Sequence, residues 1–456
     1  MKIVLPVHHF LPRHSAGAEL YTYRLAKWLR EHGHTVEVVA VESINEGRPD
    51  QLTVVSDTYD GIPVHRLSFD IFKAPKRRVW DFDNPLYQTW FEDYWQRTRP
   101  DLAHFQAGYL LGAAPLQAAA ACNVPVVLTL HDYWFLCPRI TLLRSNGELC
   151  EHIPDNPAGC AWCQAAERPA YRHLDEVTGH LAGKLAQATV LQASGRRMAH
   201  RREVMAHALT IPRRVIAPSH FLASRFVDRV PAERLVVCNY GLDLAPFQQV
   251  THVGPANKTR PLRIGYIGQM AEHKGVHLLV EAFRSLPLNS SNASETAQPI
   301  ELHLYGNLEA FPAYTERLKT LAAGDARITF HGRFQNTRVA EILSELDVSV
   351  APSTWYENQP LAILEARAAG TPVITSRLGG MAELIEHEVN GLHFNPDDAV
   401  DLAQQLRRLI DDPALLARLQ TGAAHSTPRS IDDEMTQLTH LYEQVITQSF
   451  EPVPQS

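Results

Sequence analysis

Two glutamates eight residues apart, Glu357 and Glu365, stand in the segment Pro-Ser-Thr-Trp-Tyr-Glu-Asn-Gln-Pro-Leu-Ala-Ile-Leu-Glu-Ala-Arg-Ala-Ala-Gly that spans residues 352–370. Pro360 suits a first helical turn and Gly370 a position just past the last one. The spacing therefore predicts a loop carrying Glu357 and a helix over 361–369 carrying Glu365. Free amides at the start of that helix, beside Asn358, Gln359, Pro360 and Leu361, would suit a diphosphate. Glu365, one to two turns in, would reach a ribose hydroxyl pair while Glu357 meets sugar hydroxyls. A solvated helix face is the plain alternative for two glutamates. It loses because Glu357 falls outside the helix, flanked by Trp355 and Tyr356.

A second candidate is His131, which closes the apolar run Val124–Leu130 and is followed by Asp132. The carboxyl end of such a strand is where parallel sheets place functional groups. Hydrogen bonding to a sugar is the leading reading, general-base work the minor one, and a structural histidine, one of 23, the plain one. Four of the six cysteines, Cys137, Cys150, Cys160 and Cys163, fall within 27 residues with the spacing C-x12-C-x9-C-x2-C. A C-x2-C end in a loop of low apolar content fits a structural zinc, with free thiols or an iron–sulfur cluster as alternatives. Cys122 and Cys238 read as small core residues.

These residues need rigid elements to hold them. The chain opens with an apolar strand over 2–7, a loop through Gly17, a helix with Tyr21, Leu25, Trp28 and Leu29 on one face, Gly33 as its stop, and a strand over 36–41. Apolar runs at 102–105, 124–130 and 214–217 continue the rhythm. It resumes after the polar stretch 248–260 with a strand over 263–267, the loop Gly268–Gly275 and a helix with Val276, Leu279, Val280 and Phe283 at i, i+3, i+4 and i+7. Further strands are expected at 301–305, 327–331, 348–351 and 373–375, and helices at 339–346 and 431–448. The fold class is α/β: two Rossmann-like, doubly wound parallel-sheet domains, 1–215 and 216–430, then a C-terminal helix and tail, 431–456. Ligands would bind in a central cleft at the carboxyl ends of the strands. The Cys-rich loop 137–163 belongs to the first domain and, coming directly after His131, is expected to shape an acceptor pocket. The Ser/Asn-rich stretch 289–298 reads as a surface loop.

Composition bounds the partners. A chain of 456 residues, 45 % hydrophobic and 20 % charged, supports two or three ordinary domains. Forty-three basic against 50 acidic side chains exclude an electrostatic nucleic-acid binder. The opening MKIVLPVHHF has too short an apolar run for a signal peptide or membrane anchor, so a cytoplasmic protein with free thiols or a metal, rather than disulfides, is expected. The uncharged stretch 105–130 is interrupted by Gln106, Pro115, Gln117, Asn123 and Pro125, and divides into a helix and a buried strand rather than spanning a membrane. Residues 1–215 are the more basic part, with 24 basic and 22 acidic side chains against 19 and 28 in the remainder. Basic groups at Lys73, Lys76, Arg77 and Arg78 and at Arg196, Arg197, Arg201 and Arg202, near Trp80, Phe82, Trp90 and Trp95, fit peripheral contact with the cytoplasmic face of the inner membrane, or an ordinary solvated face over core aromatics.

The 352–370 segment resembles the E-x7-E signature of the retaining nucleotide-sugar glycosyltransferases of family 4, which adopt the GT-B fold. The resemblance extends from residue 2 to about residue 395 through Ala16-Gly17-Ala18-Glu19, Arg99-Pro100-Asp101, Leu130-His131-Asp132, Pro218-Ser219, Asn239-Tyr240-Gly241-Leu242-Asp243 and Gly379-Gly380 with Glu383. It implies transfer of a sugar from a UDP-, GDP- or ADP-sugar to a saccharide or lipid-linked acceptor in surface polysaccharide biosynthesis. A GT-B nucleotide-sugar epimerase or a non-catalytic sugar-nucleotide-binding protein is the alternative. Carried over residue by residue, Lys274 would pair with the donor diphosphate, Gly17 would let backbone amides approach it, and Glu357, His131 and Lys274 would be the catalytic set. No cofactor is then needed for the chemistry, since a fixed cation and helix amides stabilise the leaving group. The chain departs from the family at Gln269, where arginine is usual, which throws phosphate stabilisation more heavily on Lys274. Asp81-Phe82-Asp83 matches the D-x-D motif of the other glycosyltransferase fold and reads as coincidence.

Overall fold

The computed structural model describes residues 1–14, 16–252, 260–287 and 299–447. Their contacts divide into two compact units: residues 1–218, 222–238 and 435 onward, and residues 219–221 with 239–434. The first carries β1 (Lys2–Val7), β2 (Thr35–Ser43), β3 (Thr53–Tyr59), β4 (Ile62–Ser68), β5 (Leu102–Phe105), β6 (Val126–Thr129), β7 (Arg214–Ala217) and β8 (Leu235–Val237). They form one sheet in the order β3-β4-β2-β1-β5-β6-β7-β8. Every pairing is parallel except the β3–β4 hairpin, which turns at Asp60-Gly61. β1 is apolar on both faces, with Ile3, Val4, Leu5 and Val7 fully buried, as a strand covered by helices on either side must be.

The second unit is a six-stranded, wholly parallel sheet of β9 (Leu262–Ile267), β10 (Ile300–Tyr305), β11 (Ile328–Gly332), β12 (Val348–Ala351), β13 (Val373–Ser376) and β14 (Gly391–Phe394). Their order is β11-β10-β9-β12-β13-β14. Its core joins Leu262, Ile264, Leu302 and Val348 of the strands to Val276, Leu279, Val280 and Phe283 of the helix Val276–Ser285. Strand order reverses between β9 and β12, the switch point at which open α/β sheets bind ligands.

Three expectations are corrected. The boundary placed at 215/216 falls later, because β8 pairs in parallel with β7 and keeps residues 222–238 in the first unit. The C-terminal helix Ile431–Thr447 is not a separate appendage. From Met435 onward it belongs to the first unit, where the Tyr442 hydroxyl lies 2.6 Å from His104 Nδ1. The aromatic residues proposed as a membrane face are largely core: Phe82 and Trp95 are each 1 % exposed, and Trp90 stacks on Tyr94 at 4.9 Å. The stretch 105–130 does resolve into a helix, Ala114–Ala121, and strand β6, and among the described residues no helix is long and apolar enough to cross a membrane. The Ser/Asn-rich segment 289–298, most of the polar stretch 248–260 and the tail from 448 lie outside the described residues.

Candidate functional site

In the second unit, the loops after β9 and β12 meet. After β9 the chain runs through Gly268 and the short turn Glu272–Lys274 to Gly275, whose φ of +68° starts the next helix. A Cβ at Gly275 would collide with the Pro352 carbonyl oxygen, so only glycine lets this loop lie against the end of β12. The Thr354 amide donates to the His273 carbonyl at 2.9 Å and locks the two loops together. That contact sets Lys274 against Glu357.

The Lys274 ammonium and Glu357 Oε1 form an ion pair. The same oxygen accepts from Trp355 Nε1 at 2.8 Å and Ser353 Oγ at 3.1 Å, and the ammonium lies 5.1 Å from the centre of the Trp355 ring. Burial pushes the Glu357 carboxyl up, but the Lys274 charge and the three hydrogen bonds outweigh it, holding the group below the usual carboxylate range. Glu357 is thus a buried carboxylate kept ionised. All three donors converge on Oε1, and none of them engages Oε2.

The backbone of Glu357 is fixed from behind by two glycines. The Gly380 amide donates to the Glu357 carbonyl at 2.8 Å, and a Cβ there would overlap the Asn358 carbonyl oxygen. At Gly379, with φ of +57°, a Cβ would stand 2.8 Å from the Glu357 carbonyl oxygen. Glu383 follows on the next turn, and its carboxylate accepts from the His220 and Phe221 amides, tying the short Ser219–Phe221 segment to this loop. The paired glycines and Glu383 are therefore scaffold for the Glu357 loop.

Pro360 caps the helix Leu361–Ala368 rather than opening it, and Gly370 follows with φ of +72°. No side chain caps the amino end of that helix. Glu365 is 8 % exposed, one turn in. Gln359 Oε1 accepts from the Tyr240 amide at 2.6 Å, so its side-chain oxygen braces the Asn239–Asp243 segment. Asn358 packs its backbone against Gly380. Gln269 exposes its side chain, while its carbonyl accepts from the Tyr266 hydroxyl at 2.7 Å. Of the second-unit candidates, the structure brings Lys274 and Glu357 into contact and places Asn358, Gln359, Pro360 and Leu361 on the chain running from Glu357 into the helix.

The first unit holds a separate group of candidates. His131 follows β6 with its Nε2 3.2 Å from Gln106 Oε1 and its ring edge-on to Tyr21 at 5.0 Å. Burial, with a smaller contribution from His8, lowers its pKa to about 3, so the ring is neutral near pH 7. Asp132 accepts from the Trp134 amide at 2.8 Å, and burial raises its carboxyl. Gly17 begins the helix Gly17–Glu31, whose amino end has no side-chain cap, and a Cβ there would meet nothing within 4 Å. Two further residues join this group: His8, just past β1, and Glu19, 3 % exposed, with His8 Nε2 at 3.3 Å from Glu19 Oε1. Their signal was present in the sequence, a histidine at a strand's carboxyl end and an acid in the glycine loop, as was that of Ser353 and Trp355 beside Glu357.

The cysteines do not assemble as expected. Cys137, Cys150, Cys160 and Cys163 are near enough for the other three to act on the Cys137 thiol, which burial raises to about 11. Among the described residues, however, no group of three or more His, Cys, Asp or Glu side chains is gathered to hold a metal ion. Cys150 donates to the His152 carbonyl at 3.4 Å, and Cys160 Sγ accepts from Arg202 at 3.3 Å. As placed, the thiols do not fit a zinc ion.

Residues 15–246 match the family model for Glycosyltransferase Family 4, and residues 261–412 the model for Glycosyl transferases group 1. A D-inositol 3-phosphate glycosyltransferase from Arthrobacter is 28 % identical over 90 % of this chain and 85 % of its own length. A glycogen synthase from Mycobacterium tuberculosis is 30 % identical over 38 % of this chain, and the amylovoran biosynthesis glycosyltransferase AmsK from Erwinia amylovora 31 % identical over 43 %. The matches span less than half the length of these last two relatives, 40 % and 45 %. Among solved structures, Anabaena Alr3699/HepE in complex with UDP aligns with a TM-score of 0.65 at 18 % identity over 97 % of this chain and all of that one. A sucrose-phosphate synthase from Thermosynechococcus elongatus aligns with a TM-score of 0.66 at 20 % identity over 98 % of this chain and all of that one. The two parallel-sheet units are those of the GT-B fold, and the chain belongs to glycosyltransferase family 4.

Proposed function

We propose that the protein transfers a sugar from a nucleotide-sugar donor to a hydroxyl of a saccharide or lipid-linked saccharide, with the anomeric configuration retained. The observation that carries this reading is the Lys274–Glu357 pair, a half-buried fixed cation beside a buried carboxylate kept ionised. A departing nucleoside diphosphate gains negative charge in the transition state. Lys274 has ammonium hydrogens beyond the one given to Glu357, and the uncapped amides at Leu361 stand on the same stretch of chain. Together they would stabilise that charge without reorganising. Glu357, held through Oε1, would offer Oε2 to a sugar hydroxyl, and Glu365 would take the ribose hydroxyls.

His131, neutral near pH 7, would donate or accept a hydrogen bond to the sugar. With so low a proton affinity it is a poor general base, which favours front-face attack in which the leaving phosphate oxygen takes the acceptor's proton. Names among the relatives support a nucleotide-sugar donor, since HepE was solved with UDP and with UDP-glucose, and AmsK supports a place in surface polysaccharide assembly. A panel of UDP-, GDP- and ADP-sugars, scored for nucleotide release with acceptor mixtures, tests the proposal. Release coupled to a new glycosidic linkage is expected. Donor epimerised without transfer would move the chain to the epimerase class, and donor bound without turnover would make it a binding protein.

A further inference from the structure

Arg77 and Arg78 of one basic group and Arg197 and Arg201 of the other, far apart in sequence, line one cavity of about 610 Å³ in the first unit. Arg77, Arg78, Arg168, Arg197 and Arg201 all face it, against two acids, Asp81 and Glu167. Glu167 is already paired with Arg139. Among the described residues none of the five arginines forms an ion pair with a carboxylate. Arg77 lies over the Phe72 ring at 4.1 Å, and Arg201 over the Trp134 ring at 4.4 Å while donating to the Trp134 carbonyl. Arg201 is only 2 % exposed, and its Nε has no hydrogen-bond partner. A buried guanidinium with an unmet donor, among cations that repel one another, is an anion site awaiting its charge. Apart from Gln164, Ser194 and the Tyr171 hydroxyl, the rest of the lining, including Ile71, Phe82, Leu191 and Met198, is apolar.

Next to this cavity the surface is inverted. Six of the thirteen large apolar side chains exposed among the described residues fall within 171–190: Tyr171, Leu174, Val177, Leu181, Leu185 and Val190, from 42 % to 82 % exposed. The first three share one face of the helix Pro169–Val177, which buries none of its residues. Polar contacts hold another side of it: Arg172 donates to the Ser145 carbonyl at 3.0 Å, and Asp175 accepts from the Gly183 amide of the following helix, Leu181–Ala188, at 2.7 Å. A helix that leaves Tyr171, Leu174 and Val177 in water while Arg172 and Asp175 are partly covered has an apolar face free to meet a second phase.

From the arginine cavity and the apolar face beside it, we propose that this region docks on an anionic phospholipid surface, with lipid phosphates entering the cavity and the 171–190 side chains entering the acyl boundary. Charge complementarity selects this occupant: five cations, a low-dielectric lining and an adjoining aliphatic ridge match a phosphate joined to a hydrocarbon chain, whereas a free phosphate would leave the ridge uncovered. The inference stands apart from the reaction proposed above, since it uses none of the residues assigned to transfer.

Vesicle flotation of the full chain tests it, with phosphatidylcholine alone or mixed with phosphatidylglycerol. Binding to the mixed vesicles is expected, with little to phosphatidylcholine and a steep loss at high salt. Arg78→Gln with Arg197→Gln should weaken binding roughly tenfold or more. Leu174→Ser with Leu181→Ser, both exposed and so tolerant of exchange, should do the same with the melting temperature unchanged. Equal binding to both vesicle types, or either double variant binding like the parent, would overturn the proposal. So would stabilisation by inorganic pyrophosphate without vesicle binding, which would assign the cavity to a free phosphate.

Discussion

Burial opposes charge on the candidate residues of both units, with opposite outcomes. In the second unit Glu357 is buried with a cation and two neutral donors on one oxygen, and stays charged. In the first unit burial is the largest influence on both His131 and Asp132, and each is driven toward its neutral form. The difference is one of company rather than depth: a buried ion survives where fixed partners replace its water, and is neutralised where they do not. On the proposed function, charge stabilisation would fall to Lys274 and Glu357, and neutral hydrogen bonding to His131.

The largest effect should come from removing that company. Lys274→Ala and Glu357→Ala should each lower turnover by roughly 10² or more, as for loss of a transition-state interaction, while nucleotide binding changes only a few-fold for the Glu357 variant. Glu365→Ala should do the reverse, chiefly weakening nucleotide binding. Parallel measurement of kcat and nucleotide Kd separates the two, and a Glu357→Ala enzyme with the parent's kcat would remove Glu357 from the site.

Next come two glycines with opposite surroundings. Gly380→Ala must push the Asn358 carbonyl away and should cost about 1–3 kcal/mol along with much of the activity. Gly17→Ala meets nothing within 4 Å and should leave stability within about 0.5 kcal/mol of the parent while reducing donor affinity, if amides at that helix end approach the diphosphate. Urea melts and donor titrations of the pair check this.

How much of this was legible depends on how local the cause was. Strands β5, β7 and β12 fall where the apolar runs place them, and the helix after Glu357 lies within its Pro360 and Gly370 brackets, because turn chemistry and periodicity are local. The β3–β4 hairpin was unread, since Thr53–Tyr59 presents six exposed positions and no apolar face. β8, only three half-buried residues, is a strand solely because β7 offers it an edge. At the site, Glu357 and Lys274 were found by spacing and resemblance. Their contact and the use of Gly379 and Gly380 as a wall are long-range facts that no window of sequence contains, whereas Ser353 and Trp355 stand within four residues of Glu357 and were open to a local reading.

A smaller effect concerns pH. His104, fully buried between the Tyr442 hydroxyl and Thr129 Oγ1, is lowered to about 3 by burial, like His131. The unfolded chain takes up those protons first, so stability should be intact above the ordinary histidine pKa of about 6.5 and fall as pH drops toward 3, by up to about 1.4 kcal/mol per pH unit for each histidine. His104→Gln should flatten the slope measured by urea melts between about pH 7 and about pH 5. An unchanged slope would mean that His104 is not held neutral.

The smallest effect is expected at the cysteines. With no three ligands gathered, chelator treatment and Cys160→Ser should leave the melting temperature unchanged. Elemental analysis showing about one zinc per chain, lost together with stability in the variant, would instead mean that the four thiols close around a metal.

The proposed division of chemistry between the charged Lys274–Glu357 pair and a neutral His131 is tested most directly by the stereochemistry of the first-formed product, read by proton NMR before mutarotation. If Lys274 and the helix amides hold the leaving diphosphate and His131 carries no proton-transfer role, the new linkage keeps the donor's anomeric configuration. An inverted linkage would contradict the account, requiring attack from the opposite face with an enzymic base and making His131 the residue to test as that base.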